Sequence, residues 1–514
     1  MDKILSQNPK TGITLKEIPK TPLSELPQIF ARAEQAQKLW SRLSLRKRAQ
    51  KLLHLREVLT RKVDEIAEVI HQENGKPVIE ALVCELLPSI ELLTYFSKVG
   101  PKALRDQALP IRNPFMRYRK SELTYWPLGT VAVIAPWNYP FFLAFGDVAV
   151  AVLTGNAVVF KPSEYTSWVG EKIQELFYEA GFPVDLVQTV YGEGDLGAAI
   201  IDQKPAKIFF TGSVRTGKAI MKQASQNLTP LTLELGGKDA MIVLPDADLD
   251  YASSAALWGG FTNSGQVCAS VERLLVHESI ARDFRDRLKE KLLLLHPDVD
   301  LGVTTMNKQK EVYEAQLEDA KAHGAEFYVG GTLTSDRTRM IPTLVGGADI
   351  ENTRIYNEET FGPVIAITTF KSIEEAIQKA NRSPYGLLAS VITSNLAVGE
   401  EVARELQVGS VMINEVLFSA GLPETPWGGV KESGFGRKHS KLGLYEFVNV
   451  RHINRPRFAF LTFKSWWWFP YSKYQGEFFR AWIKLYQGGI FEKLSNFPHF
   501  LWCLVKFLKN EPRI

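Results

Sequence analysis

Val131-Ala132-Val133-Ile134-Ala135-Pro136 is the stretch on which the fold turns. Five apolar residues, three of them β-branched, end at a proline that cannot continue a ladder. That pattern suits a short strand buried on both faces of a parallel sheet. A helical stretch follows over 141–153, Gly155 and Asn156 break it, and Ala157-Val158-Val159-Phe160-Lys161 is a second buried strand. These elements make one βαβ unit. A further strand, Lys207-Ile208-Phe209-Phe210-Thr211, leads into Gly212-Ser213-Val214-Arg215-Thr216-Gly217 and another helix. After Glu234 the pattern restarts with Ala240-Met241-Ile242-Val243-Leu244, a helix over 249–262, and Arg273-Leu274-Leu275-Val276-His277. Alternation of this kind predicts an α/β fold with mostly parallel sheets, and a second α/β domain over 236–425.

Outside this core, residues 23–97 read as helices, with Leu45, Ala49, Leu52, Leu53 and Leu55 at helical spacing. The alternating stretch Arg117-Tyr118-Arg119-Lys120-Ser121-Glu122-Leu123-Thr124-Tyr125-Trp126 suits an exposed hairpin or edge strand. No internal repeat or low-complexity tract occurs. At 514 residues the chain exceeds one core, and two to four domains are expected.

Only three cysteines occur, Cys84, Cys268 and Cys503, far apart and odd in number. That argues against a disulfide framework or a Cys-rich metal site, and no metal is expected. A reducing, cytosolic compartment is the simpler expectation. Met1-Asp2-Lys3-Ile4-Leu5-Ser6-Gln7-Asn8 has no apolar core, so no secretory signal is expected there. The net charge of +4 hides an asymmetry: residues 455–514 carry ten Lys and Arg against three Asp and Glu, leaving 1–454 at −3. The basic character belongs to the tail, and nothing in the body suggests a nucleic-acid surface.

Two segments carry chemistry. Cys268 ends Phe261-Thr262-Asn263-Ser264-Gly265-Gln266-Val267-Cys268, and Glu234 lies in Leu233-Glu234-Leu235-Gly236-Gly237-Lys238. A thiol that attacks an aldehyde forms a thiohemiacetal, and a nearby carboxylate then activates the water that frees the resulting thioester. A lone cysteine is usually a small core hydrophobe, but Ser264, Gly265 and Gln266 make a poor core setting. Free cysteine has a pKa of roughly 8.5, so a polar, donor-rich setting would help the nucleophile. Cys84 and Cys503 have no such setting and default to packing.

These segments closely resemble the active-site signatures of the NAD(P)-dependent aldehyde dehydrogenase superfamily. The resemblance covers residues 23–453, with further motifs in the family's order. In Ala135-Pro136-Trp137-Asn138-Tyr139-Pro140, the resemblance implies that the Asn138 amide donates to the oxyanion, with the Cys268 backbone N–H as second donor. Losing such a donor costs roughly 3–4 kcal/mol of transition-state stabilisation. The alternative is that Asn138 merely caps the next helix. In Lys161-Pro162-Ser163-Glu164, the resemblance places Lys161 and Glu164 on the adenine ribose hydroxyls. A carboxylate there repels a 2′-phosphate, which favours NAD, with NADP also open; a solvated Lys-Glu pair is the alternative. Gly212, Ser213 and Gly217 suit a pyrophosphate at a helix start, although an ordinary N-cap explains them as well. In Glu359-Thr360-Phe361-Gly362-Pro363, the family's glutamate holds the nicotinamide ribose and its phenylalanine supports the nicotinamide; the alternative is a turn with a core aromatic. Trp137 joins this cofactor set, and Asn414 matches a family position that supports the site. CoA-acylating relatives generally lack the carboxylate at Glu234, so its presence points to hydrolysis and a free acid.

The resemblance implies a Rossmann-type cofactor domain over 1–109 and 129–235, a catalytic domain over 236–425, and a β oligomerisation element over 110–128 and 426–454. A homodimer or homotetramer is expected. The tail over 455–514 departs from the family pattern and holds five of the eleven tryptophans, including Trp466-Trp467-Trp468. No run reaches the ~18 uncharged apolar residues of a transmembrane helix. Phe478, Trp482 and Leu485 share one helical face, with Arg480 and Lys484 away from it. Such helices suit a membrane interface, and the cytoplasmic face of a membrane is the expected location. The alternative is that the tail packs on the body or across a dimer. Some family members that oxidise fatty aldehydes carry C-terminal membrane-associated elements, which implies a long-chain or otherwise lipophilic aldehyde as substrate. A soluble dehydrogenase of small polar aldehydes, of semialdehyde or betaine aldehyde type, is the enzyme alternative. An inactive homologue acting as a membrane-bound interaction protein is the alternative of another class.

Overall fold

The computed structural model describes residues 2–113, 116–297, 299–462, 465–469, 471, 473–486 and 489–509. Positions 114–115 of the predicted oligomerisation element, and 463–464, 470, 472, 487–488 and 510–514 of the predicted tail, lie outside the described residues. The chain divides into two compact units, one of residues 1–105 with 124–451 and one of residues 106–123 with 452–514.

Eighteen strands are described. They are β1 (Lys3–Gln7), β2 (Thr14–Pro19), β3 (Gln107–Leu109), β4 (Arg119–Pro127), β5 (Thr130–Ile134), β6 (Ala157–Lys161), β7 (Val187–Thr189), β8 (Ile208–Thr211), β9 (Leu231–Glu234), β10 (Asp239–Val243), β11 (Val271–His277), β12 (Glu326–Val329), β13 (Thr343–Gly346), β14 (Val364–Phe370), β15 (Leu388–Ile392), β16 (Ser410–Ile413), β17 (Gly434–Phe435) and β18 (Val448–Pro456). The βαβ unit read from sequence is present. β5 and β6 are buried along their whole length and pair in parallel from Thr130↔Ala157 to Ile134↔Lys161. The helix between them, Phe142–Thr154, is apolar except for Asp147 and Thr154 and lies almost wholly inside the protein. It stops at Gly155, whose φ of 97° suits a residue without a Cβ.

The first sheet runs β17-β9-β8-β5-β6-β7, parallel except for β17. The second runs β12-β13-β14-β11-β10-β15-β16, parallel except for β12. Only Leu235-Gly236-Gly237-Lys238 separates the end of β9 in one sheet from the start of β10 in the other. The N-terminal layer is helical as predicted, with Leu26–Trp40, Leu45–Arg61, Val63–Asn74 and Leu87–Ala103, and Ala49, Leu52 and Leu55 buried. Sequence reasoning missed the hairpin of β1 and β2 before it. Reading 117–126 as a hairpin or edge strand needs one correction. β4 is the middle strand of a sheet ordered β18-β4-β3, because β18 supplies a second neighbour from more than 300 residues downstream.

In the second unit, helices Lys473–Tyr486 and Ile490–Lys509 pack on each other. Phe478 and Trp482 meet Phe500, Cys503 and Phe507, and Phe478 stacks on Phe507 at 5.2 Å. Leu485 borders this cluster, while Arg480 and Lys484 are exposed, as the helical face predicted. That face is therefore used against a second helix. A lone amphipathic pattern does not say whether its partner is protein or lipid. Cys503 is buried here, as its default to packing predicted. Among the described residues no helix is long and apolar enough to cross a membrane.

Truncating a large buried aromatic costs about 3–5 kcal/mol. Trp482→Ala should therefore loosen this helical pair, seen as faster amide hydrogen exchange across residues 473–509. Unchanged exchange there would contradict the packing.

Candidate active site

The predicted site segments follow the carboxyl ends of parallel strands. Trp137 and Asn138 come after β5, Lys161 ends β6, Gly212 and Ser213 follow β8, and Glu234 ends β9. In chain order the five parallel strands lie 3-2-1-4-5, and the order reverses between β5 and β8. Such a reversal opens a crevice at the carboxyl ends, where sheets of this kind take dinucleotides. Lys161 is buried there, with Nζ 3.6 Å from Glu164 and donating to the Pro162 carbonyl at 3.3 Å. Burial lowers its pKa, with Glu164 opposing. The pair is thus not the fully solvated one of the alternative. Ser213 does cap helix Val214–Ala224, its Oγ accepting from the Thr216 N–H at 3.3 Å. Small residues are needed beside it. A Cβ at Gly212 would stand 2.5 Å from the Phe210 ring, and one at Gly217 would stand 2.6 Å from Leu235. A helix start flanked by glycines, a buried ammonium and a partly exposed carboxylate fit a dinucleotide.

Cys268 follows a turn in which Asn263, Ser264 and Gly265 are all left-handed, with φ of 48°, 54° and 71°. Two of these are non-glycine residues, so the turn must be held from outside. Buried Glu80 does this, its carboxylate accepting from the Asn263 N–H at 2.9 and 3.0 Å and from the Thr262 hydroxyl at 3.0 Å. A Cβ at Gly265 would stand 2.2 Å from the Gly362 carbonyl oxygen. Asn138 is 2% exposed and donates Nδ2 to the Gln266 carbonyl at 3.0 Å, two residues before the thiol. The helix-cap alternative for Asn138 is not realised. Phe141 and Phe142 instead donate their N–H groups to Glu85 Oε2, at 2.8 and 3.2 Å.

Cys268 is half-buried and lines a largely apolar cavity of about 290 Å³. Burial pushes its thiol up, and Glu234, Asp239 and Glu359 push it further. The lowered pKa that would help a nucleophile is absent because burial disfavours the thiolate and the surrounding charges are carboxylates. Cys84 lines the same cavity, so its default to packing is corrected. Glu234 is 4% exposed. The Trp427 side chain acts on its carboxyl group, and among the described residues its Oε1 has no hydrogen-bond partner. Burial raises Glu234 to about 7, with Lys438 pulling down and Asp147 pushing up.

Glu359 accepts from the Gly237 N–H at 2.9 Å, and burial with Glu272 nearby raises it to about 8. A Cβ at Gly236 would stand 2.4 Å from the Glu359 carboxylate, and one at Gly237 would stand 2.3 Å from the Cys268 carbonyl oxygen. The β9–β10 link therefore brings the segments of Glu234, Cys268 and Glu359 together. Phe361 meets Trp137 edge to face at 5.4 Å, and its N–H is held by Glu272 at 3.0 Å. Asn414 is committed to Thr393 by two side-chain hydrogen bonds of 2.9 Å, a structural pin at the end of β16.

Several residues of this region escaped sequence reasoning. Lys76 donates to Glu85 at 2.6 Å and to the Asn138 carbonyl at 2.8 Å, and lies over the Tyr139 ring at 3.9 Å. Lys438 and Asp147 are buried and line the cavity with Tyr139 and Trp427. One signal was available: Asp147 is the single charged residue in an otherwise apolar helix.

Comparison with known proteins agrees with this architecture. The family model described as "Aldehyde dehydrogenase family" matches residues 2–453. A 4,4'-diapolycopene aldehyde oxidase from Methylomonas sp is 39% identical over 494 residues, covering 95% of this chain and 92% of that protein. Betaine aldehyde dehydrogenase from Staphylococcus aureus, solved in complex with NAD+, is 30% identical with a TM-score of 0.84, covering 90% of this chain and 94% of that one. A mutant of P. syringae indole-3-acetaldehyde dehydrogenase, solved with NAD+ and IAA, is 30% identical with a TM-score of 0.84, covering 88% and 93%. The chain belongs to the aldehyde dehydrogenase family and is an oxidoreductase acting on aldehydes.

Gly265→Ala introduces both the clash with Gly362 and a strained φ. It should destabilise the protein by about 1–3 kcal/mol and lower aldehyde oxidation by at least about tenfold by displacing the Cys268 loop. Tm and turnover measure the two effects. Wild-type values for both would contradict the close approach.

Proposed function

We propose that this protein is an NAD-dependent aldehyde dehydrogenase that oxidises a lipophilic aldehyde to the carboxylic acid, with Cys268 as nucleophile and Glu234 as general base. The observation that carries the substrate class is the cavity at Cys268, whose wall is formed by apolar side chains such as Leu87, Leu92, Phe96, Phe142, Leu143 and Trp258. Such a wall favours a hydrocarbon chain over a small polar aldehyde. The relative named for 4,4'-diapolycopene aldehyde agrees with that class, and its alignment over 95% of this chain runs into the tail.

The Cys268 thiol gives its proton to water as its sulfur adds to the aldehyde carbon, and the Asn138 amide, already fixed by the Gln266 carbonyl, has a second hydrogen for the developing oxyanion. Bound in the crevice, NAD supplies the hydride acceptor. Lys161, Glu164, Gly212, Ser213, Gly217, Trp137, Glu359 and Phe361 are the residues that would hold it. Relatives solved with NAD+ support this cofactor, and the Glu164 carboxylate disfavours a 2′-phosphate. Glu234 then takes a proton from the water that hydrolyses the thioester. The division proposed from sequence is retained: cofactor domain over 1–109 and 129–235, catalytic domain over 236–425, and an oligomerisation element over 110–128 and 426–454 in a homodimer or homotetramer.

The tail is proposed to rest on the cytoplasmic face of a membrane, through a different surface from the one the sequence suggested. Ile490, Leu494, Phe497, Leu501, Val505 and Leu508 recur at helical spacing, and all are exposed. Exposed Trp467, Trp468 and Phe469 lie in the same unit, and the tail's excess of basic residues suits anionic lipid.

Cys268→Ala should abolish turnover. Glu234→Gln should retain the first burst of NADH and stall afterwards, and the wild-type steady state should fall as pH drops through about 7. Sustained turnover in either variant would refute its assigned role. A panel from short polar to long-chain aldehydes, assayed with NAD and NADP, tests the substrate and cofactor. Preference for the short polar members would overturn the substrate class. Truncation after Ile453 should remove binding to anionic liposomes, and undiminished binding would remove the tail from that role.

A further inference from the structure

The cavity wall carries one buried ion pair. Lys438 Nζ lies 2.7 Å from Asp147 Oδ2 and donates to Thr211 Oγ1 at 2.8 Å. Thr211 stands opposite Glu234 in the register of β8 and β9. Lys438 is also tied to Trp427, whose side chain acts on the Glu234 carboxyl. Trp427 N–H donates to the Lys438 carbonyl at 2.9 Å, and Lys438 N–H donates to the Trp427 carbonyl at 2.7 Å. The pair therefore reaches Glu234 by two routes, through Thr211 on the neighbouring strand and through the Trp427 backbone bridge.

We propose that the Asp147–Lys438 pair positions Glu234 and sets its charge state, with the Lys438 ammonium favouring the carboxylate and Asp147 limiting that pull. The proposal rests on the reading of Glu234 as the base. An isolated carboxyl buried this deeply favours its neutral form, which cannot take a proton from water. A single nearby cation would favour the ionised form strongly and weaken it as a base. A pair whose positive end acts more strongly on Glu234 lies between these limits. The other groups acting on Glu234 do not replace it. Arg437 is committed to the carbonyls of Gly429 and Gly436. Glu446, which accepts from Thr232 on β9, is neutralised by Lys207, which also acts on Asp147. Cys268 faces the cavity as a thiol, and β17 presents only Gly434 and Phe435.

The two partners make opposite predictions, which a merely structural role would not. In Lys438→Met, the acid limb of steady-state turnover should move up in pH by about one unit or more; in Asp147→Asn, where the ammonium is left unopposed, it should move down. Near the wild-type midpoint, Lys438→Met should lose steady-state turnover by at least about fivefold while keeping its NADH burst. Lys438→Arg, which keeps the charge, should leave the limb near its wild-type place. Limbs that stay put, or that move the same way in both neutralising variants, would overturn the proposal. Should Lys438→Met fail to fold, Asp147→Asn decides by the direction of its limb. Glu234→Gln separates the two readings: a stall with no limb keeps Glu234 as base whatever the pair does, and wild-type turnover removes the base reading and this proposal together.

Discussion

A side-chain-free approach between two sheets is the constraint on which the site depends. β9 delivers Glu234 at the carboxyl end of one sheet, and after four linking residues β10 begins the other. The Gly236 backbone lies against the Glu359 carboxylate, and the Gly237 backbone lies against the Cys268 carbonyl. A methyl group at either glycine would push these segments apart. The Gly237 N–H also binds Glu359, so one short link spaces three segments widely separated in the chain. The two glycines therefore act by geometry and carry no chemistry themselves.

Around this link, buried charge replaces regular secondary structure as the means of holding loops. Glu80 fixes the left-handed turn before Cys268, and Glu85 caps the helix after Asn138. Glu272 holds the N–H groups of Thr360 and Phe361 while paired with Lys238. Each buried ion costs several kcal/mol in lost hydration, so such groups are stable only with several hydrogen bonds apiece. Glu85 and Glu272 each have three. Removing one partner would leave an uncompensated charge inside the protein, which makes the loops stiff. Stiffness is what the proposed action of a thiol, an amide and a carboxylate on one substrate would need.

The C-terminal helices show why amphipathicity alone is ambiguous. Their inner faces satisfy each other through Phe478, Trp482, Phe500 and Phe507, and the second helix still exposes a row of apolar side chains. A helix apolar on more than one side needs more than one partner. The sequence signal at Phe478, Trp482 and Leu485 was sound as periodicity and assigned to the wrong neighbour.

Local pattern was enough to identify the elements and the proposed reactive pair. β5, β6 and the helix between them were legible because β-branched runs, a 13-residue apolar stretch and Gly155 are all short-range signals. Cys268, Glu234 and Asn138 were legible because their segments resemble a family's motifs, and the structure packs those segments against one another. Partners were not legible. Nothing near Asp147 announces Lys438, 291 residues away, and nothing near Ser121 announces that β18 will make β4 a central strand. Backbone propensity acts over a few residues, whereas the choice between two possible neighbours is made by packing and charge between distant segments. The amino-acid order alone thus determined the α/β elements and the chemistry available, and tertiary structure alone decided which charges surround that chemistry and at what distance.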